Sequence, residues 1–437
     1  MNSKTNARPR VAVATLGCKA NQYESGRMAA DFAARGYDIV AESEPADILV
    51  INTCTVTNVA DSKSRRQIRR MKRLNPQALV VATGCAAEID PAGIAAAAGI
   101  DLVVPNRAKA SLVGNAIALG ARRGYPLPTL SEDATPANAA SCRLPSLGRT
   151  RALLMVQDGC GYKCSYCIIP TARPVRVSRP FDAIIEEAEA LAADGYREIV
   201  LTGISIGSWR EGQRRLHHLV RRLAEVSGLA HIRMSSIEPK TVSAPLIDAF
   251  AELPQCCRHF HIPLQAGEDA TLKAMNRYYD TATFARLIER IRQRMPDAGI
   301  STDVITGFPT ETDEQFERTV RFCEEMDFAK IHVFPFSPRA GTPAAALRDE
   351  VGPERRKERT ARLIALSDDG ARWWADRHVG EVVDVIAEPR DPATGLYSGL
   401  SGAYVRVHWP SDAELHGQVV RVRIESARDG AGYGVAI

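Results

Sequence analysis

A chain of 437 residues is too long for a single hydrophobic core and predicts two or three domains. Hydrophobic residues make up 45% and charged residues 25%, an ordinary soluble balance, and no run of about 18 apolar residues is present to cross a bilayer. The net charge of +4 is too small by itself to require a polyanionic partner. The first residues, MNSKTNARPRVAVATLG, lack the apolar stretch and small-residue cleavage site of a secretory signal, so a cytosolic protein without a membrane partner is expected. In a reducing compartment, ten cysteines are poor candidates for structural disulfides, and clustered ones read as metal ligands or catalytic thiols.

In chain order, RVAVATLG, DILVINT, ALVVATG and DLVVP are β-branched runs separated by helical stretches, which predicts an open parallel α/β sheet over residues 8–122. One of the intervening segments, SKSRRQIRRMKR (Ser62 to Arg73), holds seven cations and no acid and can meet phosphates. Residues 123–147, rich in Pro, Ala and Ser without periodicity, read as a linker. A second series of six candidate strands, ALLMVQ, REIVLTG, HIRMSS, HFHIPLQ, GISTDVITG and KIHVFPF, predicts a partial (β/α)6 barrel over 148–375, with chemistry at the carboxyl ends of its strands. The alternating segments EVVDVIAE, AYVRVHW and QVVRVRIESA predict a small all-β barrel over 376–437. The run ERRKERTAR (Glu354 to Arg362) reads as a solvated helix.

The cysteines carry the chemistry. DGCGYKCSYCIIP places Cys160, Cys164 and Cys167 in one loop directly after a strand. A tetrahedral zinc site takes four ligands and a disulfide two. Three thiolates suit a 4Fe–4S cluster with one iron left open. A zinc knuckle with a distant fourth ligand, or thiols without metal, is the alternative that spacing leaves. Cys18, Cys54 and Cys85 are dispersed, yet each lies just past a predicted strand of the first sheet. In an open parallel sheet those ends share one crevice, so a second cluster can form there; buried thiols that merely pack are the competing reading. Cys142, Cys256, Cys257 and Cys323 have no such placement and read as packing or chance exposure.

CxxxCxxC with Tyr166 before its last cysteine resembles the radical S-adenosylmethionine (SAM) enzymes. The ordered set TLGCKANQYES, INTCTVT, TGCAAE, VLTGISIGSW, RMSSIEP, HIPLQAGEDATLKAMNR, TDVITGFPTET and HVFPFSPRAGTPAA is similar to the methylthiotransferase family within that group and covers nearly the whole chain. GCKANQYES is similar to the branch that acts on threonylcarbamoyladenosine in tRNA. Pro174 and Ala266 depart from the family pattern, which generally has Gly and commonly has Ser at those places.

The resemblance implies a methylthiotransferase domain, a radical SAM domain and a TRAM domain in that order. It implies that a methylthio group replaces the C2 hydrogen of N6-threonylcarbamoyladenosine beside the anticodon, with isopentenyladenosine or a ribosomal protein side chain as alternative targets. A non-catalytic iron–sulfur RNA-binding protein is a third reading. The implied cofactors are two 4Fe–4S clusters and SAM, the first cluster held by Cys160, Cys164 and Cys167 and an auxiliary one by Cys18, Cys54 and Cys85. An electron donor protein and a sulfur source are implied partners beside the tRNA anticodon stem-loop. The strand-end rule nominates Tyr166, Gly203, Ser236, Glu238, Gln265 and Asp303 as SAM contacts. Lys63, Arg65, Arg66, Arg69, Arg70 and Arg406 are candidate RNA contacts, although residues 376–437 carry six basic against nine acidic side chains. Tyr404 and Trp409 either stack on bases or fill the barrel, and core packing is the expected role. GISIG matches a nucleophile-elbow pattern around Ser205, but nothing singles out partner acid and histidine residues.

Overall fold

The computed structural model describes residues 8–97, 99–125, 127–128 and 150–437. Most of the expected linker, Cys142 included, lies outside the described residues. The chain divides into two compact units. One runs to residue 148 and includes Asp158–Tyr162 and Cys167–Val177; the other holds Arg149–Gln157, Lys163–Tyr166 and Ser178–Ile437.

The first unit runs β1 (Arg10–Thr15), α1 (Lys19–Ala34), β2 (Asp38–Val40), β3 (Ile48–Thr53), α2 (Asn58–Leu74), β4 (Leu79–Gly84), α3 (Cys85–Ile89), α4 (Pro91–Ala95), β5 (Leu102–Pro105) and α5 (Leu112–Arg122). All strand pairings are parallel, in the order β2-β1-β3-β4-β5. Every residue of β3 and β4 is buried, as expected of strands covered on both faces. Val11, Val13, Val50 and Val81 pack on one face with Phe32 of α1 and Val113 of α5. Ala12, Leu49, Ile51 and Val80 pack on the other with Ile68 and Met71 of α2. Thr57 caps α2 by accepting the Ala60 N–H at 3.1 Å. Because Ser64, Ile68 and Met71 face inward, helical periodicity leaves Lys63, Arg66, Arg69, Arg70 and Arg73 exposed.

After residue 148, β6 (Ala152–Asp158) leads through the cysteine loop to α6 (Ile169–Ala172), whose residues belong to the first unit. It is followed by β7 (Val177–Ser178), α7 (Phe181–Ala193), β8 (Glu198–Gly203), the hairpin β9 (Arg210–Glu211) and β10 (Arg214–Arg215), and α8 (Leu216–Leu223). Next come β11 (His231–Met234), α9 (Ala244–Glu252), β12 (His259–His261), α10 (Asp269–Ala274), α11 (Thr281–Arg294), β13 (Gly299–Thr306), α12 (Asp313–Glu325), β14 (Lys330–Pro335) and α13 (Pro353–Asp376). Parallel pairing links β6 to β8, β8 to β11, β12 to β13 and β13 to β14. The two halves join where Ile232 N–H donates to Gln255 O at 2.7 Å and Cys257 N–H to Ile232 O at 2.9 Å. All six expected strands are present, in the expected partial-barrel succession.

The closing region is the sheet β15 (Val382–Ile386), β16 (Tyr397–Leu400), β17 (Arg406–Trp409), β18 (Val419–Arg428) and β19 (Ala431–Ala436), ordered β15-β18-β19-β17-β16. It curls until Glu388 N–H reaches Ser398 O at 2.8 Å, the small barrel expected here. Trp409 is fully buried in its core, and Tyr404 stacks on His259 with ring centroids 4.0 Å apart, so the fold absorbs both aromatics. The ERRKERTAR segment departs from a purely solvated helix. Arg359 on α13 is buried because Glu311, at 2.6 Å, and Asp313, at 2.6 Å, draw its guanidinium inward. Among the described residues, no helix is long and apolar enough to cross a membrane.

Glu198, at the start of β8, is fully buried with Arg233 at 2.7 Å and Arg151 and His231 each at 3.4 Å. Burial pushes its carboxyl up, but Arg233, His231 and Arg151 outweigh burial and hold it at about 2, below its ordinary 4.5. A depressed carboxyl stabilises the fold above its unfolded value and ceases to as pH falls to the folded value. Glu198→Gln should therefore lower stability by about 3–5 kcal/mol at neutral pH and flatten the pH slope below about 4.5 in thermal melts. An unchanged slope contradicts this.

Candidate metal centres

In the first unit, Cys18 follows β1 and precedes α1, Cys54 follows β3, and Cys85 opens α3 directly after β4. In this strand order β1 and β3 flank the point where the winding reverses, the crevice where open α/β sheets hold ligands. Cys18 is exposed, while Cys54 and Cys85 are buried. Two glycines make the approach possible. Gly17, at φ +99°, could not carry a Cβ, which would lie 2.8 Å from the Cys54 Sγ. Gly84, at φ +97°, could not carry one either, because it would lie 2.3 Å from Thr53 O. Ser64 of α2 accepts the Cys54 N–H at 3.0 Å. Burial pushes the Cys54 thiol up to about 11, and the charges of Cys85 and Cys18 add to that. Burial also raises Cys85, with Cys18 adding and Arg173 and Lys109 opposing. Cys54 thus feels the charge of both other cysteines, and Cys85 that of Cys18.

A polar chamber adjoins these thiols. Asn106 Nδ2 lies 3.6 Å from the Cys85 Sγ. Arg173 is bidentate to Glu24 at 2.8 and 2.9 Å, and donates to Asp158 and to Asn21 Oδ1, each at 2.7 Å. Lys109 reaches Glu24 at 2.7 Å. Asn21 in turn donates to Leu16 O at 2.8 Å and Thr53 O at 3.0 Å, tying the ends of β1 and β3 together. Pro174, one of the two family departures, follows Arg173, whose φ −139° and ψ 69° suit a residue before proline and end α6.

The loop after β6 carries Cys160 and Cys167, both half-buried, and Cys164, which is buried. Cys160 Sγ accepts the Tyr162 N–H at 3.4 Å. Cys164 Sγ accepts from Arg277 Nη1 at 3.1 Å. Arg277 also pairs with Glu238 at 2.5 Å and donates to the Tyr279 hydroxyl at 3.1 Å. The AMNR stretch pins the loop backbone. Ser165 N–H and Oγ donate to Met275 O and Ala274 O at 3.0 and 2.8 Å, and Asn276 Nδ2 to Lys163 O at 2.6 Å.

Among the described residues, no three His, Cys, Asp or Glu side chains are placed to hold a single metal ion. The donor chemistry of both sets fits an iron–sulfur cluster: clustered thiols, hydrogen-bond donors at sulfur, and cations nearby. Arg173 Nε, Asn106 Oδ1 and Thr83 Oγ1 are also buried without a partner.

Among the other nominated residues, Tyr166 packs on the apolar cluster of Leu272, Met275 and Phe308, which also contains the second departure, fully buried Ala266. Gly203 ends β8, where a Cβ would lie 2.5 Å from Gln157 O. Ser236 is exposed beyond β11, Glu238 is engaged by Arg277, and Gln265 adopts φ +70° beside β13. Asp303 lies inside β13 rather than at its end, paired with His261 at 3.0 Å. Ser205 is buried, with its N–H held by Gln157 Oε1 at 2.6 Å, so the elbow pattern presents no nucleophile. Lys63, Arg66, Arg69 and Arg70 are exposed, whereas Arg65 is tied to Asp61 and Asp90, each at 3.2 Å. Arg406 pairs with Glu388 at 2.8 Å. Sequence reading missed Asn21, Glu24, Lys109, Arg173 and Arg277. Asn21 and Glu24 lie one helical turn apart in a quoted motif; Lys109 had no signal.

Residues 10–105 match the family described as "Uncharacterized protein family UPF0004", and residues 154–323 match the radical SAM superfamily. The threonylcarbamoyladenosine tRNA methylthiotransferase MtaB of Bacillus subtilis is 37% identical over 95% of this chain and 94% of its own. The chain belongs to the tRNA methylthiotransferase family. A second member, the enzyme of the same name from Thermotoga maritima, is 34% identical over 91% of this chain and 90% of its own. The tRNA-2-methylthio-N(6)-dimethylallyladenosine synthase of Novosphingobium aromaticivorans is 34% identical over 95% and 94%. Among solved structures, the radical SAM methyltransferase TsrM from Kitasatospora setae shares the fold at TM-score 0.57 and 17% identity, covering 78% of this chain and 74% of that one.

The burial pattern predicts an order of thiol reactivity in metal-free protein. Brief iodoacetamide treatment followed by peptide mass spectrometry should label exposed Cys18 first, and buried Cys256, Cys257 and Cys323 last. Burial pushes each of these last three thiols up to about 12. Prompt labelling of Cys257 would contradict the described packing.

Proposed function

We propose that this methylthiotransferase replaces the C2 hydrogen of N6-threonylcarbamoyladenosine in tRNA with a methylthio group, using SAM and two 4Fe–4S clusters. An aromatic C2–H is neither acidic nor a leaving group, so positioned acids and bases do not exchange it for sulfur. When bound, these cofactors would supply a 5′-deoxyadenosyl radical to take the C2 hydrogen, leaving as 5′-deoxyadenosine, the sulfur to be inserted, and, from a second SAM, the methyl group it carries. An electron donor and a sulfur source are required as co-reactants.

The chain's own residues bind, orient and insulate. Cys160, Cys164 and Cys167 hold one cluster by three corners, and Arg277 steadies the Cys164 thiolate through the bond at 3.1 Å. Cys18, Cys54 and Cys85 hold the other. Tyr166, Gly203, Ser236, Gln265 and Asp303 are assigned to SAM, with Glu238 a positioning residue for Arg277 because their ion pair is already made. The exposed face of α2, with Lys63, Arg66, Arg69 and Arg70, is assigned to RNA phosphates, with Arg65 and Arg406 secondary because acids neutralise them.

The observation that carries this reading is the pair of three-cysteine sets at strand ends, in a chain whose relatives at 34–37% identity are named for this base. The dimethylallyladenosine relatives supply the second reading. Mass spectrometry of tRNA nucleosides from cells lacking the gene separates the two. Loss of the methylthio derivative of threonylcarbamoyladenosine, with its unmodified parent accumulating, is expected. Loss of only the isopentenyl derivative would favour the second, and unchanged tRNA would overturn both.

Cys160→Ala should abolish 5′-deoxyadenosine formation from SAM, whereas Cys54→Ala should retain some cleavage without sulfur insertion. Normal sulfur transfer by Cys54→Ala contradicts the auxiliary assignment. Combining Arg66→Glu with Arg69→Glu should weaken tRNA binding about ten-fold and reduce the salt slope by about two. An unchanged slope removes α2 from the RNA interface.

A further inference from the structure

Beside Cys85 the first unit buries charges that a structural clamp alone does not require. The side chains of Arg173, Lys109 and Glu24 are 1%, 10% and 15% exposed. Burying an ion pair costs most or all of what the pair gains, and an unmatched buried charge costs more. Here two cations share the single buried carboxylate of Glu24, at 2.8 Å from Arg173 and 2.7 Å from Lys109. Asp158, at 2.7 Å from Arg173, is 34% exposed and offsets the excess only partly, because solvent screens it. The two cations also oppose each other: burial, and then the charge of Arg173, lower the affinity of Lys109 for its proton, while Glu24 supports it.

The chamber is therefore short of negative charge, and the thiol groups are placed to supply it. Cys85 is 2% exposed and within electrostatic range of both cations. Asn106 Nδ2 points toward its sulfur at 3.6 Å. The buried Nε of Arg173 has no acceptor.

We infer that Arg173 and Lys109 are the built-in counter-charge of the cluster held by Cys18, Cys54 and Cys85, raising its reduction potential, with Glu24 trimming that effect. This rests on the assignment of those three cysteines made above. Cluster potentials follow net charge, hydrogen bonding at sulfur and solvent exposure, and a nearby cation favours the more negative, reduced form. Arg173 and Lys109 are thus positioning residues that act through the cluster's electrostatics.

The test uses full-length protein in which Cys160, Cys164 and Cys167 are all replaced by alanine, leaving the auxiliary site alone. Iron and sulfide content is measured together with a redox titration followed by electron paramagnetic resonance. Arg173→Gln and Lys109→Gln should each shift the midpoint to lower potential. Glu24→Gln should shift it to higher potential, and Arg173→Lys should restore most of the parent value. A purely structural network predicts instead that all of these variants lose cluster together or leave the potential unmoved, and either result overturns the inference. If Arg173→Gln alone loses iron, the opposed shifts of Lys109→Gln and Glu24→Gln decide the matter. Absence of any cluster in the parent triple variant overturns the cysteine assignment itself, a result distinct from an unmoved potential.

Discussion

Parallel strands deliver their carboxyl ends to one edge, and that constraint governs both proposed centres. In the first unit β1, β3 and β4 are buried throughout their central residues and pair only in parallel, so the chain must leave each of them at the same edge. Cys54 and Cys85 directly follow their strands, and Cys18 lies three positions beyond β1. In the second series, the exit of β6 carries the loop with Cys160, Cys164 and Cys167. Three thiols at such an edge grip a cluster without closing it, and an open corner is what a reagent-binding iron requires.

The energetics around the thiols follow from burial. Burial, with Cys85 and Cys18 adding to it, pushes the Cys54 thiol up to about 11, so loading a cluster there must displace protons. Cations offset that cost where a structural core would have apolar contacts: Arg173 and Lys109 near Cys85, and Arg277 at Cys164. Glu24 and Glu238 in turn hold these cations in place. At Cys164 a paired cation donates directly to sulfur at 3.1 Å, and Arg173 and Lys109, paired with Glu24, are the inferred counterparts near Cys85.

Much of this was legible in the chain because its signals are local. β-branched runs gave the strands, and their spacing placed six cysteines at strand ends. The basic run of α2 was legible as well, although not the pairing of Arg65 with Asp61 and Asp90 that removes it from the exposed set. What stayed hidden depends on partners distant in sequence. Arg173 meets Glu24 across 149 positions and Arg277 meets Cys164 across 113, separations at which no periodicity speaks. Arg359 looked solvated because the acids that draw it inward lie on a different segment, 46 and 48 positions away. Asp303 is nominated as a strand-end residue, yet the run GISTDVITG and the observed β13 both extend past it, so it sits inside the strand, where His261 on the neighbouring strand pairs with it at 3.0 Å.

Mössbauer spectroscopy of anaerobically purified, isotope-enriched full-length protein bears most directly on incomplete coordination. About eight irons per chain in two cubes are expected. Added SAM should perturb one iron of one cube, and added methanethiolate one iron of the other. A single cube, or two cubes indifferent to both reagents, would contradict the account.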